Sequence, residues 1–428
     1  MNQLLPRAAA IRVFLLFALV YLLSMLVRAV TATLAPELSA SFVLDSGALG
    51  LLAGSYFIGF CLMQIPLGIC LDRFGPPRTA VAFLCVALLG GAMTAAAQTF
   101  PQMLLGRTLL GLGLAAGLMA PLTAYRRWYS PAAQVRANAW MQMVGALGML
   151  LSTLPVQWLL PQLGWRGVFW AWCGVGALAL LGLLLGLPRW SASGSVLAPP
   201  GVGAPASVLD ILKGYGVVLR NRRFINVAPL AFFGYGGLFA ILTLWAGPWL
   251  RDVSGQTAEQ AAAGLLGINT AMMLAFFAWG LVAAPLERRG LQLESLTLGT
   301  MLLGLLVLPW VVWQGADSRW PHWAAYCLSL TGFSLVQPKL AQQFPSQLAG
   351  RALTAFNLVI FTGTFFVQWG LGLAIDLLQT LGWSQPAAYQ GAMLLLWLCK
   401  LLALGWFLRR HLPPARPNAG PDEHAQRV

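Results

Sequence analysis

Gly68-Ile69-Cys70-Leu71-Asp72-Arg73-Phe74-Gly75-Pro76-Pro77-Arg78 stands between two long apolar runs, at 47–69 and 79–98. A carboxylate and two arginines in a Gly/Pro turn belong outside hydrocarbon. The runs on either side each have about the 20 residues a helix needs to cross a bilayer. The stretch has an echo. Ala283-Ala284-Pro285-Leu286-Glu287-Arg288-Arg289-Gly290 follows another apolar run, with its acid, arginine and last glycine 215 positions further on. Leu163-Gly164-Trp165 returns as Leu381-Gly382-Trp383 after 218 positions, and Ala35-Pro36-Glu37-Leu38 as Gly247-Pro248-Trp249-Leu250 after 212. Three matches in one order at nearly one offset read as two copies of a single unit.

Composition agrees with a chain that lives in lipid. Its 428 residues are 59% hydrophobic and 9% charged, and mean hydropathy is +0.74. A soluble domain carries about 25% charged residues. The apolar runs do not alternate with polar residues as barrel strands do, so helices are expected. They are placed at 12–35, 47–69, 79–98, 102–124, 137–160, 167–188, 224–248, 261–285, 292–313, 322–344, 352–376 and 387–408. The first run lacks a small-residue cleavage site after it and reads as a retained helix. The six cysteines lie in or beside helices with no CxxC pair, which argues against disulfides and metal.

The net charge of +14 is explained by sidedness rather than by nucleic acid. Most arginines fall in the segments that share a side with the N-terminus. The other side holds Arg166, Arg251 and Arg319. This is the positive-inside pattern, and it predicts cytosolic termini in a bacterial inner membrane. Residues 190–207 are rich in Gly, Pro, Ser and Ala and read as a linker. The basic, amphipathic stretch at 210–224 suits a short surface helix. The chain thus divides into 1–189, a linker region at 190–222, and 223–428.

At this point a family comes into view. Gly68 to Arg78 resembles the loop signature of the major facilitator superfamily, G-x-L-a-D-R-x-G-x-k/R, in its place between the second and third helices. Arg107, Gly111, Gly113 and Gly117 resemble the family's pattern on the fourth helix. The antiporter signature of the fifth helix is echoed only loosely by Gly145, Gly148 and Pro155, and antiport is not inferred. The span from Arg28 through Pro36 and Gln64 to Asp72 and Arg73 resembles the organic-anion branches, the anion:cation symporters and organophosphate antiporters. The resemblance implies an all-α membrane protein of twelve transmembrane helices in two pseudo-symmetric six-helix bundles. It also implies alternating access, with a site near mid-membrane between the bundles.

The residues for that site are few. No acid falls mid-helix, and the three histidines are peripheral. A coupling proton is therefore expected to travel on the substrate or through a helix-end group such as Glu37. No constellation for an enzyme or a cofactor is present. Arg28, inside the first helix, is the cation that stands out; intramembrane ionisable groups are functional candidates by default. Its planar guanidinium suits a carboxylate or phosphate. The phosphate exchangers carry a second arginine in the seventh helix, where this chain has Ala240 to Trp245. A monoanion therefore fits better than a phosphate ester. The competing reading is that Arg28 pairs with backbone carbonyls or a helix-end acid.

Tyr56, Gln64, Tyr235, Gln337, Asn357 and Gln368 are further candidates to line the site, with helix-to-helix hydrogen bonding as the alternative for each. Lys339 near a helix end reads as snorkelling. Asp72, Arg73, Arg78, Glu287 and Arg288 are read as a latch between the halves, with a purely topogenic role for Arg73 and Arg78 as the alternative. Arg107 is read as stabilising the fold or taking part in coupling. Tryptophans at helix ends read as an aromatic belt. The expected function is secondary transport of a small organic anion by a monomer, with a proton or another ion as the coupling partner. Export of a neutral or amphiphilic compound and a non-transporting sensor on the same scaffold are the rivals.

Overall fold

The computed structural model describes residues 4–188, 208–289, 293–336, 340 and 344–411. The central linker at 190–207, Gly290, Gln337, Lys339 and the tail after 411 lie outside the described residues. Within them there is helix and no strand. The N-terminal half holds α1 (Arg7–Ala29), α2 (Thr31–Phe42), α3 (Ser46–Leu71), α4 (Arg73–Ala96), α5 (Phe100–Leu114), α6 (Ala116–Trp128), α7 (Pro131–Leu151) and α8 (Leu154–Gly186). After the linker come α9 (Val208–Leu219), α10 (Arg222–Val253), α11 (Ala258–Arg288), α12 (Leu293–Gln314), α13 (Trp320–Ser329), α14 (Ser346–Thr380) and α15 (Gln385–His411).

Ten helical segments among the described residues are long and apolar enough to cross a membrane. The expected passes near 137–160 and 322–344 are not among these ten, and the described residues there form interrupted helix. α7 carries Gln134, Arg136 and Asn138 and packs along α1. It ends at Ser152 and Thr153, whose hydroxyls donate back to the carbonyls of Met149 and Leu150 at 2.6 Å each. Pro155 then has no N–H to offer the Leu151 carbonyl one turn back, and the Thr33 hydroxyl donates to the Ser152 carbonyl at 2.8 Å. The tenth pass was expected as one helix. The structure instead ends α13 at Ser329 and continues Thr331–Leu335 as a tighter 3-10 turn. The hydroxyls of Ser329 and Thr331 again bond local carbonyls, those of Tyr326 and Leu328, and so compete with the helical ladder.

The repeated motifs take matching shapes. Gly164 and Gly382, the centres of the two Leu-Gly-Trp triplets, both have positive φ, 62° and 88°. Gly75 in the signature loop turns at φ 77°. These are values only glycine adopts freely. Around the bundle, Leu178, Leu185, Leu306 and Trp313 stand exposed, Trp313 by 80%. So large an apolar rim is at home in lipid and not in water.

The halves meet most closely at the end that carries Ser46 and Asp376. A Cβ on Gly50 would lie 2.4 Å from the Gln368 carbonyl oxygen, and one on Gly372 would lie 2.1 Å from that of Ser46. Small residues thus bring α3 and α14 to backbone contact. α2 and α10 do the same, where a Cβ on Gly247 would come within 2.4 Å of the Ala32 carbonyl. That carbonyl is free because Pro36 cannot donate to it. Asp376 closes the end: its two carboxylate oxygens accept from the backbone N–H of Ser46 at 3.0 Å and of Gly47 at 2.6 Å. A carboxylate of one half therefore caps a helix of the other.

Candidate functional site

The site begins at the break between α1 and α2. Arg107 of α5 is 2% exposed and reaches this break. It donates to the Val27 carbonyl at 3.1 Å and to the Thr31 hydroxyl at 2.6 Å. The break and its clamp fix the end of α1, and with it the neighbouring Arg28. The sequence left Arg107 between two roles. Its contacts bridge the end of α1 and the start of α2, at Val27 and Thr31 on either side of Arg28.

Arg28 is buried, 6% exposed, in a shell of rings. Its guanidinium carbon lies 4.8 Å from the centre of Phe60, 5.1 Å from Phe361 and 5.7 Å from Tyr56. Phe60 and Tyr56 come from α3, and Phe361 from α14, so both halves touch it. Cation–π contact offsets part of the cost of an unpaired charge. The polar edge is not satisfied. Arg28 Nε has no hydrogen-bond partner, and neither has the Tyr56 hydroxyl nor the Ser24 hydroxyl one turn before Arg28. Among the described residues Arg28 makes no ion pair. Buried donors left open in one region are unusual in a folded protein.

The other candidates divide. Tyr56 touches Arg28 and also Arg107, at 5.7 Å each. Gln64 is buried on α3 two turns beyond Tyr56. Tyr235 is reached through a chain of rings: it packs on Phe239 at 5.2 Å, and Phe239 packs on Phe361 at 5.9 Å. Asn357 lies one turn before Phe361 on α14. Gln368 is bonded through its amide nitrogen, while its Oε1 is buried without a partner. It donates to the Thr243 hydroxyl at 2.8 Å, and its backbone carbonyl accepts from Trp245 Nε1 at 3.1 Å. These bonds tie α14 to α10 within one half. Gln337 lies outside the described residues.

Of the latch residues, Arg73 and Arg78 are exposed beside the Gly75 turn, and Arg73 lies over the Phe74 ring at 5.6 Å. The side chains of Asp72, Glu287 and Arg288 are not among those described. Two groups went unread in the sequence. Asp376 ends the apolar run at 352–376, and its partners Ser46 and Gly47 are about 330 positions away. Lys400 lies in the middle of the last apolar run, where a lysine among Leu, Trp and Ala was itself a signal.

Comparison with known proteins settles the family. The chain matches the Major Facilitator Superfamily over residues 17–368. It belongs to that family. It is 28% identical over 282 residues to the uncharacterized transporter YgaY of Escherichia coli O157:H7, covering 65% of this chain and 64% of that protein's length. It is 24% identical over 340 residues to the cis,cis-muconate transport protein of Acinetobacter baylyi, covering 75% of this chain and 77% of the relative. The crystal structure of the nucleoside transporter NupG superposes with a TM-score of 0.71 at 12% identity, over 94% of this chain and 98% of that one. The match thus spans just under two thirds of YgaY's length, and by family and fold the chain is a multi-pass membrane protein of the facilitator type.

Proposed function

We propose that this transporter carries a small organic anion across the bacterial inner membrane by alternating access, and that Arg28 anchors the anion. The observation that carries the reading is the Arg28 guanidinium. It is buried between the two halves, its faces are covered by rings from both, and its Nε is without a partner. A guanidinium in that state offers two parallel donors to one carboxylate. Tyr56 and Ser24 add open hydroxyls. α10 brings no second arginine to the region, only Thr243 bonded to Gln368, which favours a single carboxylate over a phosphate ester. The relative named for cis,cis-muconate, a dicarboxylate, supports the wider class of small organic anions rather than the single charge.

In this reading residues 1–189 and 223–428 form the two bodies that rock, joined by the region at 190–222. The Asp376 end is periplasmic, and both termini are cytosolic. Closing both halves on Arg28 lets the anion bias the equilibrium between inward- and outward-facing states. Uptake of radiolabelled cis,cis-muconate and related carboxylates by proteoliposomes tests the proposal. Saturable uptake above that of empty vesicles is expected. Ligand binding without any flux would convert the protein into a sensor.

A further inference from the structure

Lys400 lies on α15 and is 6% exposed. Its ammonium nitrogen is 4.5 Å from the centre of the Tyr326 ring and hydrogen-bonds the Tyr326 hydroxyl. The groups around it can be named. α13 presents Tyr326 and Cys327. α10 presents Leu230, Gly234 and Gly237, and α12 presents Met301 and Leu305. Its own helix adds Ala403 and Leu404. No carboxylate and no second cation faces it among the described residues. An intramembrane charge without a counter-ion is costly, and its presence calls for a function.

Three features make this lysine a mobile charge rather than a fixed one. First, its partner suits both protonation states. The Tyr326 hydroxyl accepts from an ammonium and donates to a neutral amine, so one hydrogen bond survives the loss of a proton. Second, the partner sits at a hinge. Tyr326 lies one turn before α13 gives way to the 3-10 turn at Thr331–Leu335, and its carbonyl is held by the Ser329 hydroxyl at 2.6 Å. Third, the facing part of α10 is irregular. Wide π turns at Leu230–Tyr235 and Ile241–Trp245 bracket Gly237, and a Cβ on Gly237 would meet the Lys400 Cε at 4.0 Å. Such turns gather at functional sites. A small cavity lined by Leu230, Gly234, Met301 and Leu330 adjoins Lys400.

We infer that Lys400 is the proton-binding site of the transport cycle, taking up and releasing a proton as the α13 hinge and the π turns of α10 rearrange around it. Only the proton moves: Nζ alternates between ammonium and amine, and no other bond is made or broken. This replaces Glu37 or the substrate as the proton's carrier.

The chain has three lysines, Lys213, Lys339 and Lys400, so isotopic labelling at lysine Cε gives three resonances. The one that Lys400→Met removes should move between its ammonium and amine positions over the pH range in which the protein stays folded. A resonance fixed at the ammonium position throughout would overturn the inference. A second arm rests on the anion reading. It uses proteoliposomes with a trapped pH dye and cis,cis-muconate as the probe. Lys400→Met should keep muconate exchange within about twofold of wild type while losing pH-driven accumulation by about tenfold or more. Lys400→Arg keeps a charge that it cannot release and should also lose proton movement. Proton-coupled accumulation that persists in either variant refutes the inference. If the wild-type protein takes up no muconate, the anion reading fails for that probe, and the lysine resonance decides on Lys400 alone.

Discussion

Tyr56 shows how much one hydroxyl can reveal. It is fully buried, its ring lies between two arginines, and its oxygen has no partner. Removing an unbonded hydroxyl forfeits no internal hydrogen bond. Tyr56→Phe should therefore melt no lower than wild type. If the hydroxyl meets the anion, affinity should fall by about two- to tenfold, the value of a neutral hydrogen bond of about 0.5–1.5 kcal/mol. Melting curves and ligand titrations on the same preparation check both halves; lowered stability with unchanged affinity would make Tyr56 structural. Arg107 predicts the reverse. Its two bonds across the α1–α2 break are charge-assisted, each worth about 1.5–3 kcal/mol. Arg107→Ala should cost stability first, read as a marked drop in melting temperature in detergent. A fully stable Arg107→Ala would contradict the clamp. At this scale the sequence was half legible. An arginine inside an apolar helix announces itself. The rings that cover Arg28 come from residues 32 and 333 positions away, and no local pattern shows that. The Thr243 partner of the Gln368 amide is likewise out of local view, 125 positions away.

The helices were legible as apolar runs, and their breaks less so. Ser329 and Thr331 divert the tenth pass with bonds to carbonyls three residues back. Hydroxyls do this in some helices and not in others, so the break could not be read from composition. The capping of α3 by Asp376 is likewise a contact across 330 residues. It makes a prediction about how the halves part. The Asp376 carboxylate meets the N-terminal end of α3, where a negative charge stabilises a helix by about 0.3–1 kcal/mol and up to ~2 when partly buried. Asp376→Asn removes the charge and sets an amide against a backbone N–H. The closed end should then open more often, by about fivefold for each kcal/mol lost. A cysteine introduced at Ala53, 2% exposed in this interface, reports it. Its labelling by a water-soluble maleimide, read by mass spectrometry, should accelerate in Asp376→Asn. Equal labelling rates would mean that the cap does not hold the halves together.

For the whole molecule, the repeat was the most readable feature. The paired triplets around Gly164 and Gly382 carry the same positive φ, as two copies of one unit should. Orientation in the membrane rests on arginine placement. Reporter fusions after Gly201 and at the C-terminus are expected to be cytosolic; periplasmic activity at either would break the six-plus-six arrangement. Substrate class lies deepest, because it depends on one charge between two halves. Desolvated, charge-assisted contacts are worth about 1.5–3 kcal/mol, or roughly ten- to a hundredfold in affinity. Arg28→Lys keeps the charge without the fork and should bind between wild type and Arg28→Gln. Folding should survive Arg28→Gln, since an intramembrane arginine costs about 2.5–3.5 kcal/mol to insert. The measurement that bears most directly is a thermal-shift titration of purified wild type and Arg28→Gln against cis,cis-muconate and a panel of small carboxylates. The account predicts that at least one carboxylate stabilises the wild type, and that well-folded Arg28→Gln needs about ten- to a hundredfold more of it for the same shift. An equal shift at equal concentration in both proteins would contradict an anion site at Arg28.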